Sequence, residues 1–298
     1  MKKIVTNGFE TSQFVYGIWR LLDDPKGSGA EVIKDKIDAC LEVGIDTIDS
    51  ADLYGDYKAE IAFGEFLKKF PDYKSKLKII TKCGIQYCCD TRPETKVKYY
   101  DYSPEYIRFS VEQSLEKLNV ESLDCLLFHR PSPLMNAKEV AKISHVLKQE
   151  GKVKYFGVSN FTPSQYTMLA SEMELVTNQV EANPLQLTSY LDGTFDQCQE
   201  RGISPMIWSP LAGGRIFSPK SEREVRVREK LGQLAEKYQV DLDVLAYSWL
   251  LRHPTGPIVI LGTSNPERIL KVRKTYDVNW DIQDWFDLWS SSTGEEVP

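Results

Sequence analysis

Four side chains in the first half of the sequence, Asp49, Tyr54, Lys82 and His129, are of the types that together can move a proton. A tyrosine titrates near ~10 and is a weak acid at neutral pH, but a neighbouring ammonium favours the phenolate and lowers that value. Lys82 can do this for Tyr54, while a carboxylate such as Asp49 holds the lysine charged and oriented. His129 can hydrogen-bond an oxygen on which negative charge develops. These roles interlock without a metal, and they suit the delivery of a proton to an oxygen on which negative charge develops. Each residue also has a plainer reading: His129 as a satisfied structural hydrogen-bonder, Tyr54 as a rim aromatic, and Asp49 with Lys82 as a buried structural ion pair. Their common placement favours the chemical reading.

That placement follows from the order of elements. Short β-rich runs alternate with stretches of helical periodicity, the pattern of parallel strands joined by helical crossovers. Eight such runs, at 14–19, 46–51, 77–84, 123–130, 154–160, 177–183, 204–210 and 257–263, predict an α/β fold of the (β/α)8 TIM-barrel type. The barrel is expected as a single domain over residues 1–298, with an N-terminal hairpin-like segment and an extra C-terminal helix. The stretch 103–119 opens with Ser103 as a cap and Pro104 at the first helical position, and the stretch ending at Gly151 closes with a left-handed cap. In such barrels the active site forms at the C-terminal ends of the strands. Asp49 and Tyr54 follow the second strand, Lys82 lies in the third and His129 ends the fourth.

The connection 86–102 is long, Pro-interrupted and aromatic, and is expected to overhang the mouth. Trp19, Tyr87, Tyr99 and Tyr100 near that mouth suggest a partly apolar or ring-bearing carbonyl. From Asp281 onward, Trp285, Phe286, Leu288 and Trp289 predict a helix that packs back onto the barrel.

The contexts DTIDSADLYG, ITKCG, LLFHRP, FGVSNF and TNQVEANP, in this order, resemble the aldo-keto reductase superfamily across nearly the whole chain. Within it, LLFHRPSPLMNA and the LAGGR loop look most like the YdhF-like bacterial oxidoreductases. The resemblance implies that Asp49, Tyr54, Lys82 and His129 match the catalytic tetrad, with Tyr54 as general acid. It also implies that Ser159, Asn160 and Gln179 hold the nicotinamide carboxamide and that Trp208 stacks on its ring. Further cofactor contacts are implied at Gly17, Trp19, Arg20 and Asp49, and at Ser209, Leu211, Gly213 and Arg215 in the pyrophosphate loop. The adenosine-phosphate site is implied at Gly262, Thr263, Ser264 and Arg268.

A physical reading of the cofactor site stands beside this. Gly213 and Gly214 let backbone N–H groups approach a diphosphate, and Arg215 adds charge. No GxGxxG follows the first strand, so a Rossmann domain is not expected. Asn265 and Arg268 open the last barrel helix and can meet a 2′-phosphate through backbone amides and a guanidinium fork. NADPH is therefore the expected cofactor. Many members of the superfamily carry lysine where this chain has Gly262, so Lys271 is a candidate replacement and NADH a second possible cofactor.

Composition limits the alternatives. The chain has 298 residues, 42% hydrophobic and 27% charged, with a formal net charge of -6, which argues against nucleic acid as a partner. No apolar run approaches the ~20 residues of a membrane span, and a cytoplasmic location is expected. Cys40, Cys83, Cys88, Cys89, Cys125 and Cys198 have neither disulfide-scaffold density nor zinc spacing and are expected as free thiols. Adjacent Cys88 and Cys89 are a redox pair only at the cost of a strained ring. His129, His145 and His253 offer no HxH pair, against a metal-dependent barrel hydrolase or isomerase. A regulatory, cofactor-binding role, as in the potassium-channel β-subunits that resemble this superfamily, is the remaining rival. The expected partner is a small-molecule carbonyl, and the expected state a monomer or small homo-oligomer.

Overall fold

The computed structural model describes residues 1–298 and contains twelve strands. They are β1 (Lys3–Thr6), β2 (Phe9–Ser12), β3 (Phe14–Gly17), β4 (Thr47–Asp49), β5 (Lys78–Cys83), β6 (Ile85–Gln86), β7 (Tyr99–Tyr100), β8 (Leu123–Phe128), β9 (Val153–Ser159), β10 (Asn178–Glu181), β11 (Met206–Trp208) and β12 (Ile258–Leu261). Eight of these, β3, β4, β5, β8, β9, β10, β11 and β12, pair in parallel and in chain order, and β12 pairs back onto β3 to close a barrel. All eight expected strands are present, most of them shorter than the expected runs because the ladder stops where the chain turns toward the next helix. The fold is the (β/α)8 barrel.

Helices between the strands start where the sequence carries caps. Ser103 accepts from the Tyr106 amide at 3.3 Å ahead of the helix Pro104–Leu118, and Asn136 caps Ala137–Gln149. Thr162 and Gln165 form a reciprocal capping box at Pro163–Ala170. Gly151 takes φ +73° just beyond its helix, where a residue without Cβ is least strained. The C-terminal helix Ile282–Thr293 packs on Glu222–Tyr238, and Trp285 stacks on Trp249 at 4.8 Å. No helix is long and apolar enough to cross a membrane.

Because side chains alternate along a strand, each barrel strand serves two cores. Outward residues such as Phe14, Ile48, Ile79, Leu126, Phe156, Val180, Ile207 and Val259 pack under the helices. Inward residues Val15, Ile80, Cys125, Leu127, Met206, Ile258 and Ile260 form a smaller cluster with Ile4 and Phe9 of the N-terminal hairpin. That hairpin, β1 with β2, plugs the end where the strands begin. Thr6 donates to Val176 O at 2.6 Å and accepts from the Ser204 amide at 3.2 Å, both ahead of their strands.

Two features were not foreseen from the sequence. Loop 86–102 is tied at its base by the short antiparallel pair β6–β7, with Ile85 opposite Tyr100 and Gln86 opposite Tyr99. Immediately after Tyr54 the chain takes three left-handed residues in succession, Gly55, Asp56 and Tyr57. All six cysteines are free thiols, as expected, with Cys88 exposed and the Cys89 sulfur 3.2 Å from the Thr91 hydroxyl.

One helix contact tolerates no side chain. A Cβ on Gly64, in the helix Ala59–Lys69, would sit 1.7 Å from the carbonyl oxygen of Lys117. Gly64→Ala is therefore expected to cost about 3 kcal/mol by forcing two helices apart. The urea midpoint reads this directly, and an unchanged midpoint would show that the helices can separate freely.

Candidate active site

Strand alternation builds the site from the same register as the inner core. Two positions beyond Val15, Ile80, Leu127, Met206 and Ile260 stand Gly17, Lys82, His129, Trp208 and Gly262. Asp49, Ser159 and Gln179 occupy the matching inward positions, since Ile48, Val158 and Val180 pack outward. A polar layer thus caps the apolar interior at the C-terminal ends of the strands.

Lys82 is fully buried and all three of its donors are used. Its Nζ reaches Asp49 Oδ2 at 2.8 Å, the Ser50 carbonyl at 2.6 Å and the Tyr54 hydroxyl at 3.0 Å. Burial favours the neutral amine, but Asp49 and Tyr54 outweigh it and raise the pKa of Lys82 above its usual value. For Tyr54 the net direction is opposite to the sequence expectation. Burial raises its pKa more than Lys82 lowers it, and the Asp49 charge adds to the rise. The ammonium does oppose the rise, but the phenol remains protonated through the neutral range.

The His129 ring lies edge-on to the Tyr54 ring, with centroids 6.0 Å apart. Burial, with Lys82, Arg130 and Lys98 adding like charge, holds its pKa well below the usual range, so the imidazole is neutral at pH 7. Its Nδ1 is buried without a hydrogen-bond partner. An orphaned acceptor is the more tolerable of the two states, which places the ring proton on Nε2.

On the far wall the expected carboxamide-binding residues hold one another. Gln179 Nε2 donates to Asp49 Oδ1 at 2.8 Å, and Ser159 Oγ donates to the Gln179 carbonyl at 2.9 Å. Asn160, left-handed at φ +61°, donates to Ser159 Oγ at 2.7 Å and accepts from Trp208 Nε1 at 3.0 Å. This network links Asp49 to Trp208 through side chains that can turn toward an amide.

The next loop bears Ser209 and Leu211, then Gly213 and Gly214, both left-handed and with open space where a Cβ would stand. Backbone there is free to meet a diphosphate. Arg215 is anchored, with Nη1 3.2 Å from Glu224 Oε1 and Nε on the Ala212 carbonyl at 3.0 Å, so its charge is partly answered within the chain. After β12, Thr263 accepts from the Asn265 amide at 3.2 Å, and Asn265 accepts from the Glu267 amide at 2.9 Å. The following helix, Pro266–Lys271, has only six residues and its cap already takes one free amide. Ser264 and Arg268 stay exposed, and the Arg268 guanidinium lies 5.3 Å from the Phe217 ring. Lys271, the candidate replacement for the missing lysine, ion-pairs with Asp241 at 2.8 Å, both side chains about half exposed. A Cβ on Gly262 meets nothing within 4 Å.

At the opposite side of the mouth, Gly17 is required by packing, since a Cβ would come within 2.8 Å of Ile260. Trp19 is 57% exposed, with Arg20 over its ring at 4.9 Å. Tyr87, expected as a mouth aromatic, is instead engaged: its ring stacks on Tyr57 and its hydroxyl donates to Asp56. Arg130 was missed, although its position directly after His129 was the available signal. Its guanidinium has no carboxylate partner and lies 5.8 Å from the Trp208 ring. Glu181, at the end of β10, is half-buried, and burial raises its pKa.

The comparisons with known proteins identify the family and the fold. The profile of the "Aldo/keto reductase family" matches residues 13–291. A 6-dehydroglucose reductase of Agrobacterium fabrum is 41% identical over 295 residues, covering 98% of each chain. The oxidoreductase YdhF of Escherichia coli is 40% identical, covering 99% of this chain and 98% of its own. Among solved structures, the glycerol dehydrogenase of Gluconobacter oxydans superposes with TM-score 0.85 at 22% identity, over 99% of this chain and 97% of its own, a likeness of fold.

Behind the polar layer lies an acid pair that no sequence signal marked. Asp52 Oδ2 accepts from Ser110 Oγ at 2.9 Å and Tyr106 OH at 3.2 Å, while its Oδ1 is buried without a partner. Glu60 accepts from Thr81 and Ser114. Burial, and then the charge of Glu60, push Asp52 up to about 7. In the unfolded chain the same carboxyl titrates near ~4. Its contribution to stability is therefore complete below ~4 and is lost as the pH rises through about 7. Asp52→Asn, neutral throughout, is expected to gain stability relative to the parent between about pH 5 and about pH 8. Urea midpoints at the two pH values measure the gain, and an equal difference at both would refute the raised pKa.

Proposed function

The chain belongs to the aldo/keto reductase family, and from that premise we propose that it reduces an aldehyde or ketone to the alcohol with NADPH, as one barrel domain spanning residues 1–298. The observation that carries this reading is the buried Lys82 ammonium held between Asp49 and the Tyr54 hydroxyl, beside a neutral His129. When bound, the reduced nicotinamide supplies the hydride. His129 Nε2–H donates to the carbonyl oxygen, and Tyr54 passes its proton to that oxygen as negative charge develops there. Lys82 stabilises the phenolate left behind, and Asp49 keeps the lysine charged and aimed. Because burial keeps Tyr54 protonated, the acid is in its reactive form at neutral pH.

The residues suit the cofactor at three places. Ser159, Asn160 and Gln179 present both donors and acceptors for a carboxamide beside the half-buried Trp208. Gly213 and Gly214 leave room at the backbone for a diphosphate. Arg268 with Ser264 is the grip for a 2′-phosphate, and the open space at Gly262 together with the Lys271–Asp241 pair makes that grip a modest one. NADH is accordingly a second, weaker cofactor.

For the substrate, we favour an aldehyde that carries hydroxyl groups over the apolar carbonyl suggested by the aromatic residues. Arg130, with no carboxylate partner, and Glu181 offer a donor and an acceptor at the mouth, and the Agrobacterium relative is named for 6-dehydroglucose. A kinetic panel of sugar aldehydes, simple aldehydes and ketones tests the preference.

Tyr54→Phe keeps the ring and removes the proton donor. It is expected to bind NADPH normally and to lose at least ~10²-fold in turnover, up to ~10⁴-fold. Turnover near that of the parent would remove Tyr54 from the mechanism. Arg268→Ala is expected to weaken NADPH binding by roughly ten- to a hundredfold, from ~1.5 to 3 kcal/mol for a charge-assisted hydrogen bond, while NADH binding is unchanged. Quenching of protein fluorescence during titration with each cofactor separates the cases. Equal losses for both cofactors would mean that the arginine is structural.

A further inference from the structure

Tyr54 is followed at once by three consecutive residues with positive φ. Gly55, Asp56 and Tyr57 take φ values of 58°, 55° and 67°, and only the first is a glycine. A left-handed tyrosine is an outlier, because its Cβ crowds the following carbonyl. Such conformations persist where the surroundings over-determine them.

The surroundings here come mainly from one segment, the loop that begins at β6 and returns at β7. Asp56 Oδ1 accepts from Tyr87 OH at 2.6 Å, and the Asp56 carbonyl accepts from Thr91 Oγ1 at 3.0 Å. The Tyr57 ring is buried, stacks on Tyr87 at 5.7 Å and carries the Arg92 guanidinium at 4.3 Å. Its hydroxyl donates to the Ile85 carbonyl at 3.2 Å. Arg92 is itself held by Gln86 Oε1 at 2.6 Å. In contrast, the Tyr54 hydroxyl has a single protein partner, Lys82 at 3.0 Å. One hydrogen bond does not fix a phenol that hangs from a strained turn.

We infer that Asp56 and Tyr57 are positioning residues for the Tyr54 hydroxyl, and that Tyr87, Thr91 and Arg92 of the 85–100 loop lock them in the left-handed turn. The inference rests on Tyr54 being the proton donor. The loop over the mouth thus sets the reach of the acid as well as the shape of the opening. Misplacement by about 1 Å is enough to cost ~10²-fold in rate.

Conservative variants of Asp56 separate this role from a general structural one. Asp56→Asn keeps an acceptor for Tyr87 and tolerates positive φ, so its kcat should match the parent. Asp56→Ala loses both, and Tyr87→Phe loses only the donor; each should lower kcat by about ten- to a hundredfold. The dissociation constant for NADPH and the thermal midpoint should stay unchanged in Tyr87→Phe, which carries the test if Asp56→Ala folds poorly. The solvent deuterium isotope effect on kcat should rise in Tyr87→Phe, because transfer of the Tyr54 proton becomes slower. Parent-like kcat in Asp56→Ala or Tyr87→Phe, or an Asp56→Asn as impaired as Asp56→Ala, overturns the inference. Retained turnover in Tyr54→Phe is a different result, since it overturns the reading of Tyr54 and leaves nothing for the turn to position.

Discussion

The arrangement depends on one ammonium group with no access to water. Lys82 is fully buried, and a charge in that position is tolerable only if its donors are met by fixed acceptors. Asp49, the Ser50 carbonyl and Tyr54 meet them. The requirement then spreads outward. Asp49 gives its second oxygen to Gln179, Gln179 takes Ser159 on its carbonyl, and Ser159 holds Asn160, which holds Trp208. Side chains from β4, β5, β9, β10 and β11 are thereby coupled to one charge. Moving any of them leaves a buried polar group without its partner, and that cost keeps the polar layer in one arrangement.

The same register that makes this layer also makes the core beneath it. Ile80 and Lys82 point the same way from β5, one into the apolar interior and one into the polar cap. A slip of one residue would bury both beneath the helices and turn Ile79 and Thr81 inward. Stability and chemistry are therefore not assigned to separate parts of the strands but to successive positions on the same face. Where the strands end, the backbone turns into left-handed conformations at Asn160 and Ser209.

What could be read from the sequence was what depends on local pattern. The eight strands carry β-branched and aromatic runs that alternate with helical stretches, and Ser103 with Pro104 marks a helix start by chemistry that acts within one turn. Asp49, Tyr54, Lys82 and His129 were legible because strand order brings them to one face. The rest depends on distances between segments far apart in sequence. The upward net shift of Tyr54 reflects how deeply it is buried, which residue types do not reveal. Lys271 is occupied by Asp241, thirty positions earlier, and Arg215 by Glu224. Asp52 and Glu60 form a pair only because helix Pro104–Leu118 brings Ser110 and Ser114 against them. The left-handed Tyr57 had no signal, since an aromatic residue is an improbable occupant of that conformation.

The hairpin that seals the bottom of the barrel has a consequence in time. Thr6 bonds to Val176 and Ser204, which lie 170 and 198 residues further along the chain. A ribosome adds roughly 5–20 residues per second, so the hairpin waits on the order of ten seconds or more before its partners exist. During that interval Ile4 and Phe9, which end in the innermost cluster, have no permanent place to go. The hairpin is made long before its partners and is among the last segments to be seated, and closure of the barrel is what releases it from waiting.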